Sequence, residues 1–235
     1  MTPPHTLWVT RAQPGADATA ERLRQVRLTP VVAPLLVVQP IAGAAVDLTD
    51  AAAIVFTSAN GVAAFAALSP ERALRVFAVG DATAGAARRE RFKSVLSTQG
   101  DVQALASALT ARRRELGGVI VYPSAAEPAQ DLAAALAPAG LAVRQTAVYE
   151  TVATSPPASL LARLPEIDGV LLHSAKAAEA LAEVLTLHPT PHLTAYCLSR
   201  QVAAPLRDAD LTDVHAAFAP NEASLLALLE SLAAA

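Results

Sequence analysis

The chain has 235 residues, of which 53% are hydrophobic and 4% aromatic, with a formal net charge of −3. That length holds one large or two small domains, and the apolar content is ample for real cores. The acidic balance and the scarcity of aromatic rings exclude a general nucleic-acid binder and a base-stacking platform.

The start, Met1 to His5, has no positively charged region ahead of a long apolar run, so no signal peptide is expected. No apolar run reaches the roughly 18–20 residues that span a bilayer. A soluble, cytoplasmic protein is the expectation. Leu7 to Thr10 reads as the first strand, and Pro14 opens a helix from Ala16 to about Val26. The run Val31 to Val38 is extended but split by Pro34, which predicts a bend or an edge. Strand–helix units follow at Ile54–Leu68, Arg75–Arg89, Lys93–Arg114 and Val119–Pro138, and a last strand at about Ala142 to Val148. The stretch Thr146 to Val152 is extended and is stopped by Ser155-Pro156-Pro157. A final series comprises a short helix at Ala158–Leu164, the strand Gly169–His173 and the helix Ala175–Leu187. After these come the strand Thr194–Leu198, the helix Gln201–Leu206, the strand Val214–Phe218 and the helix Asn221–Leu232.

The three late strands and the two N-terminal ones make one sheet of five, and the middle series makes another. Five parallel strands with crossover helices is the flavodoxin-like count. The economical architecture is α/β, with two flavodoxin-like parallel-sheet domains, the second inserted in the first, joined by a two-stranded linker. Residues 1–37 plus 153–235 form the discontinuous first domain, 43–147 the second, and 38–42 and 148–152 the linkers.

Strand after strand ends in small or polar residues just before a helix. Thr10-Arg11 follows Leu7–Val9, and Thr57-Ser58 with Asn60-Gly61 follows Ile54–Phe56. Gly80-Asp81-Ala82-Thr83 follows Val76–Val79, and Pro123-Ser124 follows Val119–Tyr122. Ser174-Ala175-Lys176 follows Val170–His173, and Ser199-Arg200 follows Ala195–Leu198. Any one of these is most simply a helix cap. Together they predict that both sheets open their carboxyl edges to one anionic ligand, because helix starts present unpaired N–H groups there. Arg11, Lys176 and Arg200 are the candidate cations of that cleft. Tyr149 is the one phenol in the crossing between domains and a candidate proton donor.

Other chemistries find no support. The five histidines are scattered singly, with no metal-ligand spacing. No phosphate-binding glycine loop and no nucleophile elbow occurs. The single cysteine, Cys197, excludes an internal disulfide and a cysteine metal cluster, and its apolar run marks a buried, inert thiol.

Phe56-Thr57-Ser58-Ala59-Asn60-Gly61-Val62, Val79-Gly80-Asp81-Ala82-Thr83-Ala84 and Val148-Tyr149-Glu150-Thr151 resemble, in order and spacing, the best marks of the uroporphyrinogen-III synthase family. Val9-Thr10-Arg11, Pro34-Leu35-Leu36, His173 to Ala177, Cys197-Leu198-Ser199 and Pro220 to Leu225 are similar to its remaining segments. The chain departs from that pattern at Gln130, where a basic residue is common, at Ser199-Arg200, where Gly-Pro is common, and at Arg27-Leu28, where a glycine is usual.

The resemblance implies a HemD-like fold and an enzyme, a carbon–oxygen lyase, that needs no cofactor and no metal. It would dehydrate and cyclise hydroxymethylbilane, a linear tetrapyrrole with eight carboxylates, inverting ring D to give uroporphyrinogen III. Tyr149 matches the tyrosine proposed in that family to supply or relay the proton. The implied partner is this polycarboxylate substrate, with no nucleic acid and no membrane, and with room for a transient contact with the preceding enzyme of the pathway. A monomer is the default state. The rival readings are a two-lobed protein that binds a small anion without catalysis, and a flavin-binding or hydrolase-like α/β enzyme.

Overall fold

The computed structural model describes residues 5–13, 15–98 and 101–233. Pro14, expected to open the first helix, lies outside the described residues. The strands are β1 (Thr6–Val9), β2 (Thr29–Val32), β3 (Leu36–Pro40), β4 (Ala51–Phe56), β5 (Arg75–Val79), β6 (Val95–Thr98), β7 (Val119–Ala125), β8 (Val143–Ala153), β9 (Gly169–Leu172), β10 (Thr194–Cys197) and β11 (Asp213–Ala216). The α-helices are α1 (Gly15–Gln25), α2 (Ala59–Leu68), α3 (Gly80–Arg89), α4 (Val102–Ala111), α5 (Leu132–Leu136), α6 (Ala158–Leu161), α7 (Ala175–Leu187), α8 (Arg200–Ala203) and α9 (Glu222–Ala233). The chain divides into two compact units, residues 1–37 with 152–235 and residues 38–151.

The first unit carries a parallel sheet in the order β11-β10-β9-β1-β2. Renumbered within the unit this is 2-1-3-4-5, the flavodoxin order, and its direction reverses between β1 and β9. Alternation along the strands supplies two cores. Trp8, Val170, Leu172, Ala195 and Cys197 face one side with Leu181 and Leu185 of α7. Leu7, Val9, Leu171 and Tyr196 face the other with Leu23 of α1 and Leu225 and Leu229 of α9. A sheet covered by helices on both faces needs such near-continuous apolar strands.

The second unit carries the order β3-β8-β7-β4-β5-β6. Its parallel part reads 3-2-1-4-5 in local numbering, so its switch point lies between β4 and β7. Val55, Phe77, Ile120 and Tyr122 pack with α4 and α5. Ile54, Phe56, Val76 and Val121 pack with Val62 and Phe65 of α2 and with α3. β3 runs antiparallel to β8, since Ile41 N–H donates to the Val148 carbonyl and Thr154 N–H to the Leu35 carbonyl. Pro34 separates β2 from β3.

Helix starts follow local chemistry. Ser58, Asp101, Asp131, Ser174 and Ser199 each accept a hydrogen bond from a first-turn N–H of the helix they precede. Val79 leads into α3 without a side-chain cap, and Gly80 turns the chain with φ +73°. Only glycine takes that conformation without strain.

Candidate active site

At the switch point of the second unit, the carboxyl ends of β4 and β7 border a pocket of about 520 Å³, in the range of small-molecule sites. Thr57, Ser58 and Asn60 line it from the β4–α2 turn, Tyr122 and Ala125 from β7, and Tyr149 and Thr151 from β8. Val79, Asp101, Val102 and the segment Glu127 to Gln130 complete it. The Thr57 hydroxyl and the Tyr122 phenol are hydrogen-bonded at 3.0 Å. They meet because β4 and β7 are neighbours in the sheet, although 65 residues separate the two in sequence.

Tyr149 reaches the same pocket by a break in register. Ser124 pairs with Ala147, but Ala125 pairs with Tyr149, so Val148 is an extra residue in β8. Val148 and Tyr149, adjacent in sequence, consequently join one buried cluster with Ala64 of α2, where strict alternation would send them to opposite faces. A bulge that re-aims a side chain is a recurrent device beside active sites. α2 lies close against this corner. A Cβ on Gly61 would stand 3.1 Å from the Pro123 carbonyl oxygen and 3.6 Å from a ring carbon of Tyr149. Burial pushes the Tyr122 phenol above its usual pKa, the Thr57 bond opposes this, and the nearby Tyr149 adds to it. At neutral pH the Tyr122 phenol is therefore protonated, and either hydroxyl of the pair can be the donor.

The carboxyl edge of the first unit is built of charges. Glu222, in the first turn of α9, accepts from Thr19 at 2.5 Å and pairs with Arg22 at 2.5 Å and Arg11 at 3.2 Å. Burial raises the Glu222 pKa, but the bonds from Thr19 and Arg22 and the charges of both arginines outweigh it and hold it below the usual value. His173, at the end of β9, has both ring nitrogens buried and unpartnered among the described residues. Burial lowers its pKa to about 4, with Arg11 adding to the effect and Glu222 opposing it.

Of the residues singled out in the sequence, the pocket brings together Thr57, Ser58, Asn60 and Tyr149, with Gly61 and Pro123 at its back. Gly80, Asp81, Ala82 and Thr83 form the start of α3. Asp81 accepts from Ser97, and Thr83 is buried. The Ser124 hydroxyl is buried and donates to the Ala125 carbonyl. In the first unit, Thr10 is fully buried and donates to the Leu171 carbonyl, so its hydroxyl supports the switch-point strands themselves. Arg11, a candidate cation of the cleft, is bound to Glu222 and Thr19. Ser174, Ala175 and Lys176 open α7, and Ser199 and Arg200 open α8. Tyr122 was not among the expected site residues. Its setting, Val-Ile-Val-Tyr-Pro, reads only as a buried strand, and its partner is visible only once the strand order is known. Among the described residues no group of three or more His, Cys, Asp or Glu is placed to hold a metal ion. No described helix is long and apolar enough to cross a membrane.

A family model described as uroporphyrinogen-III synthase HemD matches residues 17–227. The chain belongs to the uroporphyrinogen-III synthase family. This places it in a family of enzymes of tetrapyrrole, and hence haem, biosynthesis, and implies a tetrapyrrole substrate. The crystal structure of uroporphyrinogen-III synthetase from Helicobacter pylori is similar at 18% sequence identity, covering 97% of this chain and 99% of that one, with a TM-score of 0.65. That likeness shows the fold. A mutant uroporphyrinogen III synthase from the extremely thermophilic bacterium Thermus thermophilus is 17% identical over 97% of this chain and 98% of that one, with a TM-score of 0.48. No curated protein sequence matches the chain. The HemD-like expectation of two parallel-sheet α/β domains agrees with this synthase fold.

Proposed function

We propose that this chain is a uroporphyrinogen-III synthase in activity as well as in family, a lyase acting as a cytoplasmic monomer on hydroxymethylbilane. The observation that carries the reading is the pocket of the second unit. It lies at a sheet switch point, where open α/β folds bind ligands. It offers hydroxyls and a helix start for carboxylates, and two phenols beside them. The substrate loses its terminal hydroxyl as water, which requires a proton at the departing oxygen. Tyr149 supplies or relays that proton.

The carboxylates are held by N–H groups at the starts of α2, α3, α7 and α8, that is by Ser58 to Gly61, Gly80 to Thr83, Ser174 to Lys176, and Ser199 with Arg200. Pro123 and Ser124 shape the wall behind them. Thr10 and Arg11 act from behind the first unit's strand ends. Each unit thus offers helix starts at the carboxyl edge of its own sheet. Holding the chain folded so that its ends meet is catalysis by positioning, and the choice of closure onto the inverted ring sets the isomer.

The test is a coupled assay in which hydroxymethylbilane is generated in situ and the oxidised products are separated as uroporphyrin isomers. Predominantly isomer III is expected. Isomer I alone from folded protein would overturn the reading and leave the two-lobed anion-binding alternative.

A further inference from the structure

We infer that Tyr122 is a positioning residue of this pocket, acting on substrate through Thr57 and not by contact. The inference rests on the function proposed above and adds to it a group outside the residues assigned there. Tyr122 is 2% exposed, so little of its ring is open to a ligand, yet its phenol oxygen sits 3.0 Å from the Thr57 hydroxyl at the pocket wall. A phenol and a threonine hydroxyl have one proton each, and one of the two is spent on the bond between them. The pair therefore presents a single remaining donor to the pocket.

With Tyr122 donating inward to Thr57, the Thr57 proton is directed outward. An arriving carboxylate meets a two-step chain, Tyr122 O–H to Thr57 Oγ and Thr57 O–H to the carboxylate. Such chains strengthen one another where water is scarce. Tyr122 also fixes the Thr57 rotamer. The sheet holds the phenol, because Tyr122 is buried in β7 as part of the core cluster that includes Val55, Ile120, Leu132 and Leu136. Thr57 lies outside the strand, in the turn between β4 and α2. Its free hydroxyl would otherwise turn toward nearby backbone groups, as threonines at helix starts do. The ligand class is thus a carboxylate of the substrate, met at the β4–α2 turn by a pre-oriented donor, and the gain is in binding and not in the bond-breaking step.

The test compares Tyr122→Phe, Thr57→Val, Thr57→Ser and the pairs Tyr122→Phe/Thr57→Val and Tyr122→Phe/Thr57→Ser, with fresh hydroxymethylbilane, reading isomer III formation and melting temperature. The expected result is a five- to tenfold rise in KM for Tyr122→Phe, with kcat within twofold and the melting temperature nearly unchanged. Thr57→Val should match it, and the double variant with valine should be no worse than either single one. Thr57→Ser should stay near the parent while Tyr122 holds it and lose affinity once Tyr122 is phenylalanine. An unchanged KM in Tyr122→Phe, multiplicative losses in the double variant with valine, or a loss that merely follows the melting temperature would overturn the inference alone. A parent protein that makes only isomer I would overturn the function it rests on, and this inference with it.

Discussion

At the carboxyl edge of the first unit's sheet, the groups beside the switch point are charged and bound to one another. Glu222 takes Arg11, Arg22 and Thr19, and Thr10 is spent on Leu171. At the corresponding edge of the second unit, the groups beside the switch point are a neutral hydroxyl pair, with Asp101 and Glu127 also lining the pocket. Thr57 and Tyr122 satisfy each other and still leave a donor facing a pocket. Beside the switch point, the same topological position thus carries ion pairs in one unit and a hydroxyl pair at a pocket in the other. Strand ends and helix starts make an edge capable of binding; the side chains packed behind it decide whether that capacity is already used.

The largest effect expected from this difference is catalytic and lies in the second unit. Tyr149→Phe should slow isomer III formation by well over tenfold, with an unchanged circular dichroism spectrum. Near-parental turnover in a folded variant would remove Tyr149 from the acid role.

The next effect is one of stability and lies in the first unit. The unfolded chain protonates His173 near its ordinary 6.5, while the folded chain resists until about 4. Between these values the unfolded state holds more protons, so stability is lost as the pH falls through that window. The share due to His173 is about 3 kcal/mol at most. His173→Leu removes two unpaired buried nitrogens, and should flatten this slope and raise stability at neutral pH by about 1–2 kcal/mol. Denaturant titrations of both proteins at pH 7 and pH 4.5 measure it. Equal slopes would mean that the imidazole is hydrated in solution.

A smaller loss is expected from Glu222→Ala, which leaves Arg11 and Arg22 facing each other. The Glu222 side chain is 20% exposed and both arginines are more so, so solvent screening limits the cost to roughly 1 kcal/mol. Isomer III turnover well below the melting temperature should persist. A tenfold loss there would mean that the first unit's edge is as directly engaged in the reaction as the second's.

The smallest effect is none at all. Cys197 is buried and its thiol is pushed up to about 12 by that burial, so a thiol reagent at pH 7.5 should leave the folded protein unlabelled. Rapid labelling would show the first unit opening far more readily than its core suggests.

Much of the architecture was legible in the residues. Ile54-Val55-Phe56 and its counterparts are apolar and β-branched enough to be buried strands, and Ser58, Ser174 and Ser199 cap the helices that follow. Pro34 breaks the early extended run where β2 gives way to β3. Tyr149 was legible as a phenol on an extended run, but not its direction, which depends on the extra residue Val148 in β8. Tyr122 was hidden for a related reason. Its bond to Thr57 exists only because β7 lies beside β4, and strand order is set by long-range packing that local patterns do not carry. Arg11 read as a candidate cleft cation, and its partner was hidden since Glu222, which binds it, is 211 residues away. The helix starts were local facts and could be read locally, whereas the state of each edge was a matter of which distant strands and helices meet there.

The most direct test of the claim that the second unit's pocket takes the substrate is hydrogen exchange, resolved to single peptides, with and without uroporphyrinogen III under anaerobic conditions. The account predicts slowed exchange over residues 58–62 at the start of α2 and over residues 126–130 beside the pocket. Residues 180–188, which border a separate groove in the first unit, should exchange as before. Protection confined to 180–188, with none at the start of α2, would contradict it.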